Sequence, residues 1–330
     1  MTAPRVSFLV PTYNYARYLP DCLASILALE GDTAFEVVIV DDASTDDTAE
    51  VLAGIRDARV RILRNEVNLG HGRTLERALG AAQGELVARI DPDDRYRPGF
   101  LRHTLPVFER HPDVGMVYGD AALIDEAGRL TQASCDRQHG GEPFHGFELV
   151  PLLEENFICA PTVIARRECW TAFLPVPAHL AFNDWYFTVN MARRWPFYFV
   201  PEVLAEYRVH CAQHHARVAR DGSEERSVRW LLDQVYATRE ARPELEAAKR
   251  AARKRVYARH AVDAGEKYFG AEDWRNARRC YVRALRLAPK LVLRQPVLRH
   301  LVGTLMGRRG YAAVKAAVKR PSKRREEAGR

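Results

Sequence analysis

The sequence predicts an α/β fold: a mainly parallel sheet flanked by helices, followed by a helical C-terminal region. Three observations predict it. Short runs rich in Val, Ile and Leu alternate with helix-spaced apolar residues through the first 120 positions, as strand–helix–strand units require. Each run ends in a polar turn, and open sheets of this kind bind ligands beyond the carboxyl ends of their strands. After Asp221-Gly222 the pattern turns helical to the end.

The elements follow in order. "RVSFLVP" (5–11) reads as the first strand and leads to a helix in which Leu19, Leu23, Ile26 and Leu27 fall at i, i+4, i+7 and i+8. Pro20 and Asp21 suit its first turn. "FEVVIVD" (35–41) and "RVRILRN" (59–65) are the next strands, and Leu75, Ala78, Leu79 and Ala82 repeat the helical spacing. "ELVARID" (85–91) and "VGMVYGD" (114–120) complete the set. Near-continuous apolar runs mark strands covered on both faces.

Residues 121–220 are irregular and rich in aromatics, prolines and histidines, which suits a ligand-facing half of mixed strands and loops. One domain is therefore expected over 1–220, with halves 1–120 and 121–220, and a basic helical region over 221–330. In the latter, "AAKRAARKRVYARHAVDAGEKYFGAEDWRNARRCYVRALRLAPK" predicts two antiparallel helices turning near "FGAEDW", similar to a single tetratricopeptide-like hairpin. A further helix is expected after Pro296, and the tail "KRPSKRREEAGR" is expected to fray.

Composition narrows the class. The 330 residues are 47% hydrophobic and 28% charged, with no low-complexity tract, which describes a globular chain with a sizeable core. No run approaches the roughly 18 apolar residues of a membrane-spanning helix, and the N-terminus enters a strand at once, without a signal peptide's cleavage region. A cytoplasmic protein is expected. Cys22, Cys135, Cys159, Cys169, Cys211 and Cys280 are scattered with no C-x-x-C pair, and predict reduced, buried thiols. Charge is divided unevenly: residues 241–330 carry 25 Lys/Arg against 8 Asp/Glu, a surplus of 17 in a chain whose net charge is +7. That surplus could meet an anionic lipid surface or be a solvated face with homodimer contacts; no aromatic-interleaved or groove-reading motif points to nucleic acid.

The chemistry gathers at the strand ends. Strand one closes in "PTYN", strand two in "DDASTDD", strand three in "NEVNLG" and strand four in "DPDD". Asp42 and Asp91 stand two strand–helix units apart, so their strands can be neighbours with both carboxylates at one rim. Like charges so close need a compensating cation or donors. Each motif alone would serve as an Asp-rich turn capping the next helix. Two at one edge favour a hard divalent cation, Mn²⁺ or Mg²⁺, shared with phosphate oxygens.

Taken together, "VSFLVPTYNYARYLPDCLASILAL", "FEVVIVDDASTDDT", "NLGHGRTLERALGAAQGELVARIDPDD" and "NDWYF…YRVH" resemble, in order and spacing over residues 4–212, a family 2 glycosyltransferase of the GT-A (Rossmann-like) fold. The resemblance implies an inverting transfer of a sugar from a nucleotide diphosphate donor. Pro11, Thr12 and Tyr13 would hold base and ribose, and Asp42 would accept a hydrogen bond from the base, which as an acceptor-only carboxylate suits a UDP- or dTDP-sugar. Asn68 joins them as a nucleotide-sugar contact. Asp91 and Asp93 match the family's D-x-D, Asp91 towards the ribose and Asp93 or Asp94 on the metal, with His210 of "YRVH" as a further ligand or phosphate donor. Asp184 matches the catalytic base of an acidic pair, although its neighbour here is Asn183 rather than a Glu. It would also suit a helix N-cap. His214 and His215 could substitute for His210, and Arg166 and Arg167 match a segment that crosses the acceptor side in relatives. "RSVRW" (226–230) is partly similar to a Q-x-x-R-W motif but lacks the Gln, and reads as helix. The acceptor would be a glycan or a lipid-linked saccharide. A sugar-1-phosphate nucleotidyltransferase, which should open on a glycine-rich phosphate loop, and a non-catalytic nucleotide-sugar-binding adaptor are the competing functions.

Overall fold

Apolar strands and amphipathic helices alternate from the N-terminus as β1 (Val6–Thr12), α1 (Leu19–Leu27), β2 (Phe35–Asp41), α2 (Thr48–Ala53), β3 (Val60–Arg64), α3 (His71–Ala81) and β4 (Leu86–Arg89). They belong to a computed structural model that describes residues 3–210, 222–293, 297–307 and 311. The chain divides into two units, Met1–Gln213 and His214–Arg330. The first continues through β5 (Arg95–Tyr96), α4 (Phe100–Arg110), β6 (Met116–Ile124), β7 (Leu130–Gln132), β8 (Phe144–Gly146), α5 (Leu149–Glu154), β9 (Ile164–Arg166), α6 (Arg167–Thr171), α7 (Asp184–Ala192) and β10 (Phe197–Arg208).

One sheet joins these strands in the order β3-β2-β1-β4-β9-β6-β10-β5, with β7 on β6 and β8 on β10. The pairings β1–β2, β2–β3, β1–β4 and β6–β10 are parallel, while β9 runs antiparallel between β4 and β6. The sheet is therefore mainly parallel, as the alternating pattern predicts. The strands preceding Asp42 and Asp91 are not neighbours, however: β1 lies between them. The chain winds outward from β1 through β2 to β3, then returns to β1's other side for β4. Such a reversal opens a crevice beyond the strand ends.

The sheet is held by apolar faces on both sides. Val37, Val38, Ile39 and Val40 of β2 are all fully buried, and alternate members of such a strand face opposite layers. Below, Phe8 meets Phe35 edge-on at 5.5 Å and Tyr96 at 5.3 Å, with Phe100 at 6.1 Å. Helix α3 buries Leu75, Ala78 and Leu79, the face its spacing predicts. Each buried Leu or Phe stabilises by about 1.5–3 kcal/mol relative to exposure.

The second unit contains α8 (Ser223–Ala237), α9 (Pro243–Gly270), α10 (Trp274–Leu287) and α11 (Pro289–Val292), and residues 297–307 are helical. "RSVRW" lies within α8. Helices α9 and α10 form the expected hairpin, with Asp273 capping α10 by accepting from the Asn276 amide at 3.1 Å. Ala258, Ala261, Ala277 and Ala284 let the two approach, and a Cβ at Gly265 would stand 2.6 Å from the Tyr281 ring. Lys249, 1% exposed, is paired with Glu240 at 2.7 Å and Glu246 at 2.9 Å. Among the described residues no helix is long and apolar enough to cross a membrane.

A buried acid sits in the first unit away from the strand ends. Glu148 accepts from the Tyr118 hydroxyl at 3.0 Å and lies 3.1 Å from His139, whose ring stacks on Phe144 and Phe199. Burial pushes its carboxyl up to about 7, with the Tyr118 hydrogen bond pulling the other way. A carboxyl raised in the folded state stays protonated there while the unfolded chain ionises, so stability falls as pH climbs from 4.5 towards about 7. Glu148→Gln should escape that loss. Over this window its unfolding free energy should gain about 2–3 kcal/mol on wild type, and a difference flat in pH would show that Glu148 is ionised in the fold.

Candidate active site

Turns beyond β1, β2 and β4 meet at one edge of the sheet. Pro11 and Thr12 end β1 and are buried, and Tyr13 follows at 42% exposure. The Asp42 amide donates to the Thr12 carbonyl at 2.9 Å. Asn14, in the left-handed region at φ 58°, accepts on its side chain from the Thr45 amide at 2.8 Å, and its own amide donates to Ser44 Oγ at 2.9 Å. The "PTYN" and "DDASTDD" turns are thereby knitted into one wall.

Asp42 is 3% exposed and holds the third turn. Its carboxylate accepts from Asn65 Nδ2 at 2.6 Å, the Leu69 amide at 2.8 Å and the Gly70 amide at 2.9 Å. Gly70 has φ 82°, a conformation costly for other residues, and that turn is what aims its N–H at the acid. Asn68, exposed, accepts from the same Gly70 amide at 3.2 Å. Three of the roughly four acceptor sites of a carboxylate are thus occupied within the protein.

The D-x-D-D turn after β4 separates its acids by environment. Asp93 Oδ2 lies 3.0 Å from His210 Nε2, both side chains nearly buried, at 6% and 4% exposure. Asp94, fully buried, accepts from the Arg208 amide at 2.8 Å through Oδ1, while its Oδ2 has no hydrogen-bond partner among the described residues. Burial raises the Asp93 carboxyl above the usual range, the Asp91 charge adds to this, and the His210 bond partly offsets it. Burial and the charges of Asp93 and Asp91 push Asp94 up further. An acid cluster driven towards protonation, with an unpartnered oxygen and an imidazole beside it, suits a divalent cation: the cation would supply the missing positive charge. Asp93 and His210 could hold it, whereas Asp94 has one oxygen, Oδ1, engaged by the β10 backbone.

Two arginines that the motif reading left without a role tie this turn to its surroundings. Arg208, 2% exposed, donates from Nε to the Asp93 carbonyl at 2.7 Å and from Nη2 to Asp21 at 2.8 Å. Arg89 points from the end of β4 towards two partners. Its Nη2 contacts both Asp91 oxygens, at 2.6 and 2.9 Å, and its Nη1 donates to Asn183 Oδ1 at 3.0 Å. Burial opposes its charge, but Asp91, with Asp184 and Asp94 behind it, holds its pKa above the ordinary value. A charged residue in "LVARID" facing inward was the available signal: a buried arginine demands acids.

Asp184 is the first residue of α7, and Asn183 occupies the N-cap without a side-chain capping bond. The capping role considered for Asp184 thus falls one residue earlier, and Arg89 draws the Asn183 side chain away from it. Asn156 Nδ2 donates to Asp184 Oδ2 at 3.1 Å. Arg166 and Arg167 lie elsewhere. Arg166 pairs across from Leu86, at the start of β4, and binds the Val114 and Pro112 carbonyls; Arg167 reaches the Glu85 and Ala82 carbonyls. Both sit at the edge opposite the acids, because β9 runs antiparallel. His214, His215 and Cys211 lie outside the described residues. Truncating Arg89 takes an ion-pair partner from Asp91, and removing one partner of a fully buried pair costs about 3–5 kcal/mol. Since Asp91 keeps 30% side-chain exposure, Arg89→Ala should cost about 2–3 kcal/mol in urea unfolding. A cost under about 0.5 kcal/mol, the level of a surface pair, would refute a bridging role.

Comparison with known proteins agrees with this geometry. Residues 7–168 match the family model of glycosyl transferase family 2. An uncharacterized protein of Mycobacterium tuberculosis (strain CDC 1551 / Oshkosh) is 35% identical over 179 residues, which are 50% of this chain and 54% of that one, so the chain spans about half the length of this relative. Among solved structures, S. aureus TarS 1-349 in complex with UDP-GlcNAc superposes with a TM-score of 0.67 at 20% identity, over 87% of this chain and 82% of TarS. The mannosyltransferase PcManGT from Pyrobaculum calidifontis, in complex with GDP-Man and Mn²⁺, gives 0.59 at 18% identity, over 92% of this chain and 85% of its own. The four motifs, the strand order that reverses at β1 and the acid turn after β4 therefore have one explanation: the chain belongs to glycosyltransferase family 2, with the GT-A fold.

Proposed function

We propose that the protein is an inverting, metal-dependent glycosyltransferase that moves a sugar from a nucleotide diphosphate donor, UDP- or dTDP-linked, to a hydroxyl of a glycan or lipid-linked acceptor. The observation that carries this reading is the Asp93–His210 contact of 3.0 Å inside an acid cluster that burial has left short of positive charge. The two neighbours solved with UDP-GlcNAc and with GDP-Man and Mn²⁺ support a nucleotide-sugar donor. Bound by Asp93 and His210, Mn²⁺ or Mg²⁺ would supply Lewis-acid stabilisation of the leaving diphosphate.

The chain's own residues account for the rest. Pro11, Thr12 and Tyr13 form the wall for base and ribose, and Asp42 offers its remaining lone pair to an imide N–H while fixing the Asn68 turn. Asp91, whose two oxygens both accept from Arg89 Nη2, faces the ribose. Asp184 takes the proton from the attacking hydroxyl, as a direct displacement requires of one base on the acceptor side. Asn156 orients that carboxylate, and Asn183 adds no charge beside it. Removing such a base slows reactions by about 10²–10⁴-fold.

The basic second unit supports contact with an anionic lipid surface, where a lipid-linked acceptor would be presented. On α10, Arg275, Arg278, Arg279, Arg283 and Arg286 share one face of the helix with Val282 and Leu287. Arginine stems suit an apolar boundary while their heads meet phosphate.

The function is tested by transfer and donor hydrolysis with Mn²⁺ and with chelator. UDP or dTDP with Mn²⁺ at 100 times its Kd should add about 2.7 kcal/mol of stability. Asp93→Asn should abolish the metal-dependent part of that gain. Asp184→Asn should keep it and lose transfer by at least about 100-fold, and a variant transferring at near full rate would overturn the base assignment. Tight nucleotide binding without any turnover in wild type would favour the adaptor. For the lipid surface, Arg275→Glu with Arg286→Glu should release the protein from anionic vesicles at low salt, and unchanged binding would remove that contact.

A further inference from the structure

A second cluster of ligand-type side chains lies far from the acids. His111, Asp113 and His145 each offer one ligand atom, all within 4.8 Å of one another, and they lie at the opposite edge of the sheet from Asp93. His111 is the C-cap of α4, and Asp113 lies in the turn that leads to β6. His145 belongs to β8, paired with Tyr198 near the start of β10, whereas His210 follows the end of that same strand. Twelve residues of strand separate the two, on the order of 40 Å if fully extended.

Both halves of the cluster are held by rigid structure. The Val114 amide donates to the His111 carbonyl at 3.1 Å, the Gly115 amide to Pro196 at 3.1 Å, and Arg166 braces the Pro112 and Val114 carbonyls. A Cβ at Gly115 would stand 2.5 Å from Trp195, so this turn packs against the chain entering β10. The His111 ring lies 5.2 Å from Tyr198 and 4.7 Å from His145, and His145 reaches Asp113 at 3.3 Å. An acid beside a helix C-terminus meets the negative end of the dipole, an arrangement that a cation relieves. Arg166, which binds the Pro112 and Val114 carbonyls, is also paired with Glu85.

We infer that His111, Asp113 and His145 form a binding site for Zn²⁺, with a water completing the coordination. The donor set decides the metal. Imidazole nitrogens with one carboxylate favour Zn²⁺ over Mn²⁺ or Mg²⁺, which the oxygen-rich donor site prefers. Ligands about 2.0–2.1 Å from a tetrahedral ion stand roughly 3.4 Å apart, so side chains already within 4.8 Å close on it by rotation alone. Bound there, the ion fastens β8 to the turn before β6, and with it the excursion that carries His139 and Phe144.

The test uses untagged, chelator-treated full-length protein carrying Asp93→Asn, which removes the acid ligand of the donor site. Zn²⁺ titration should show one equivalent bound with a Kd of about 10 µM or tighter, and Co²⁺ should give the visible absorption of a low-coordinate site. His145→Ala, His111→Ala and Asp113→Asn should each weaken binding by at least about 10-fold. His145 and Asp113 are exposed, so these two changes should leave far-UV circular dichroism unaltered. In the wild-type background His145→Ala should also leave the stabilisation by nucleotide and Mn²⁺ unchanged. An equivalent of Zn²⁺ that persists in all three variants, or binding no tighter than about 1 mM, would overturn the site.

Discussion

Three carboxylates follow β4 within four positions, and the sheet edge buries two of them almost completely. Such charge survives burial only where cations or donors answer it. Arg89 and Arg208 give that answer from within the protein. Arg89 holds Asp91 from the strand side, and Arg208, at the end of β10, donates from its guanidinium to the Asp93 carbonyl and from its backbone amide to the Asp94 carboxylate. Neither neutralises the Asp93 carboxyl itself, which is left with His210. Much of the site follows from this incomplete compensation: the turn is tied down on two sides, yet keeps a deficit of positive charge of the kind a divalent cation could fill.

Arg89 also sets how the two sides of the crevice communicate. A single guanidinium contacts Asp91 on one side and Asn183 on the other, one residue before Asp184. An acid in the place of Asn183 would compete with Asp91 for that arginine and repel Asp184. An amide accepts one hydrogen bond and adds no charge. The exchange of Glu for Asn beside the proposed base therefore alters the electrostatics of the acceptor side more than its shape.

Much of the fold was legible because its strands are buried on both faces. Runs such as "FEVVIVD" have no amphipathic ambiguity, and the aspartates that end them fall where parallel strands end together. Pairing order was less visible. Apolar runs do not state their neighbours, so β1 between β2 and β4, and the three-residue β9 reversed between β4 and β6, had to come from tertiary structure. Candidate site residues were readable where a motif carried them, as with Asp93 and His210, which the fold brings to within 3.0 Å of each other. Arg89, Arg208, Asn14 and Asn156 were not, since their importance depends on partners roughly 30 to 115 positions away. Asp42 shows a different limit: its position was readable, but not that loop amides would fill most of its acceptor capacity.

The reversed strand β9 has a consequence for how this architecture can diversify. Parallel strands send their carboxyl ends to the ligand edge, and each must then return through a helix. An antiparallel strand sends its amino end there instead, so the stretch 155–163, with Asn156, arrives at the edge from a connection that no crossover helix constrains. Within it only Glu155 and Asn156 are exposed and can change without disturbing the registers of β4 or β6, whereas Ile158, Thr162 and Val163 are buried and hold the rest to the sheet. Variety at this edge can therefore enter through those two positions, while the strands on either side keep their places.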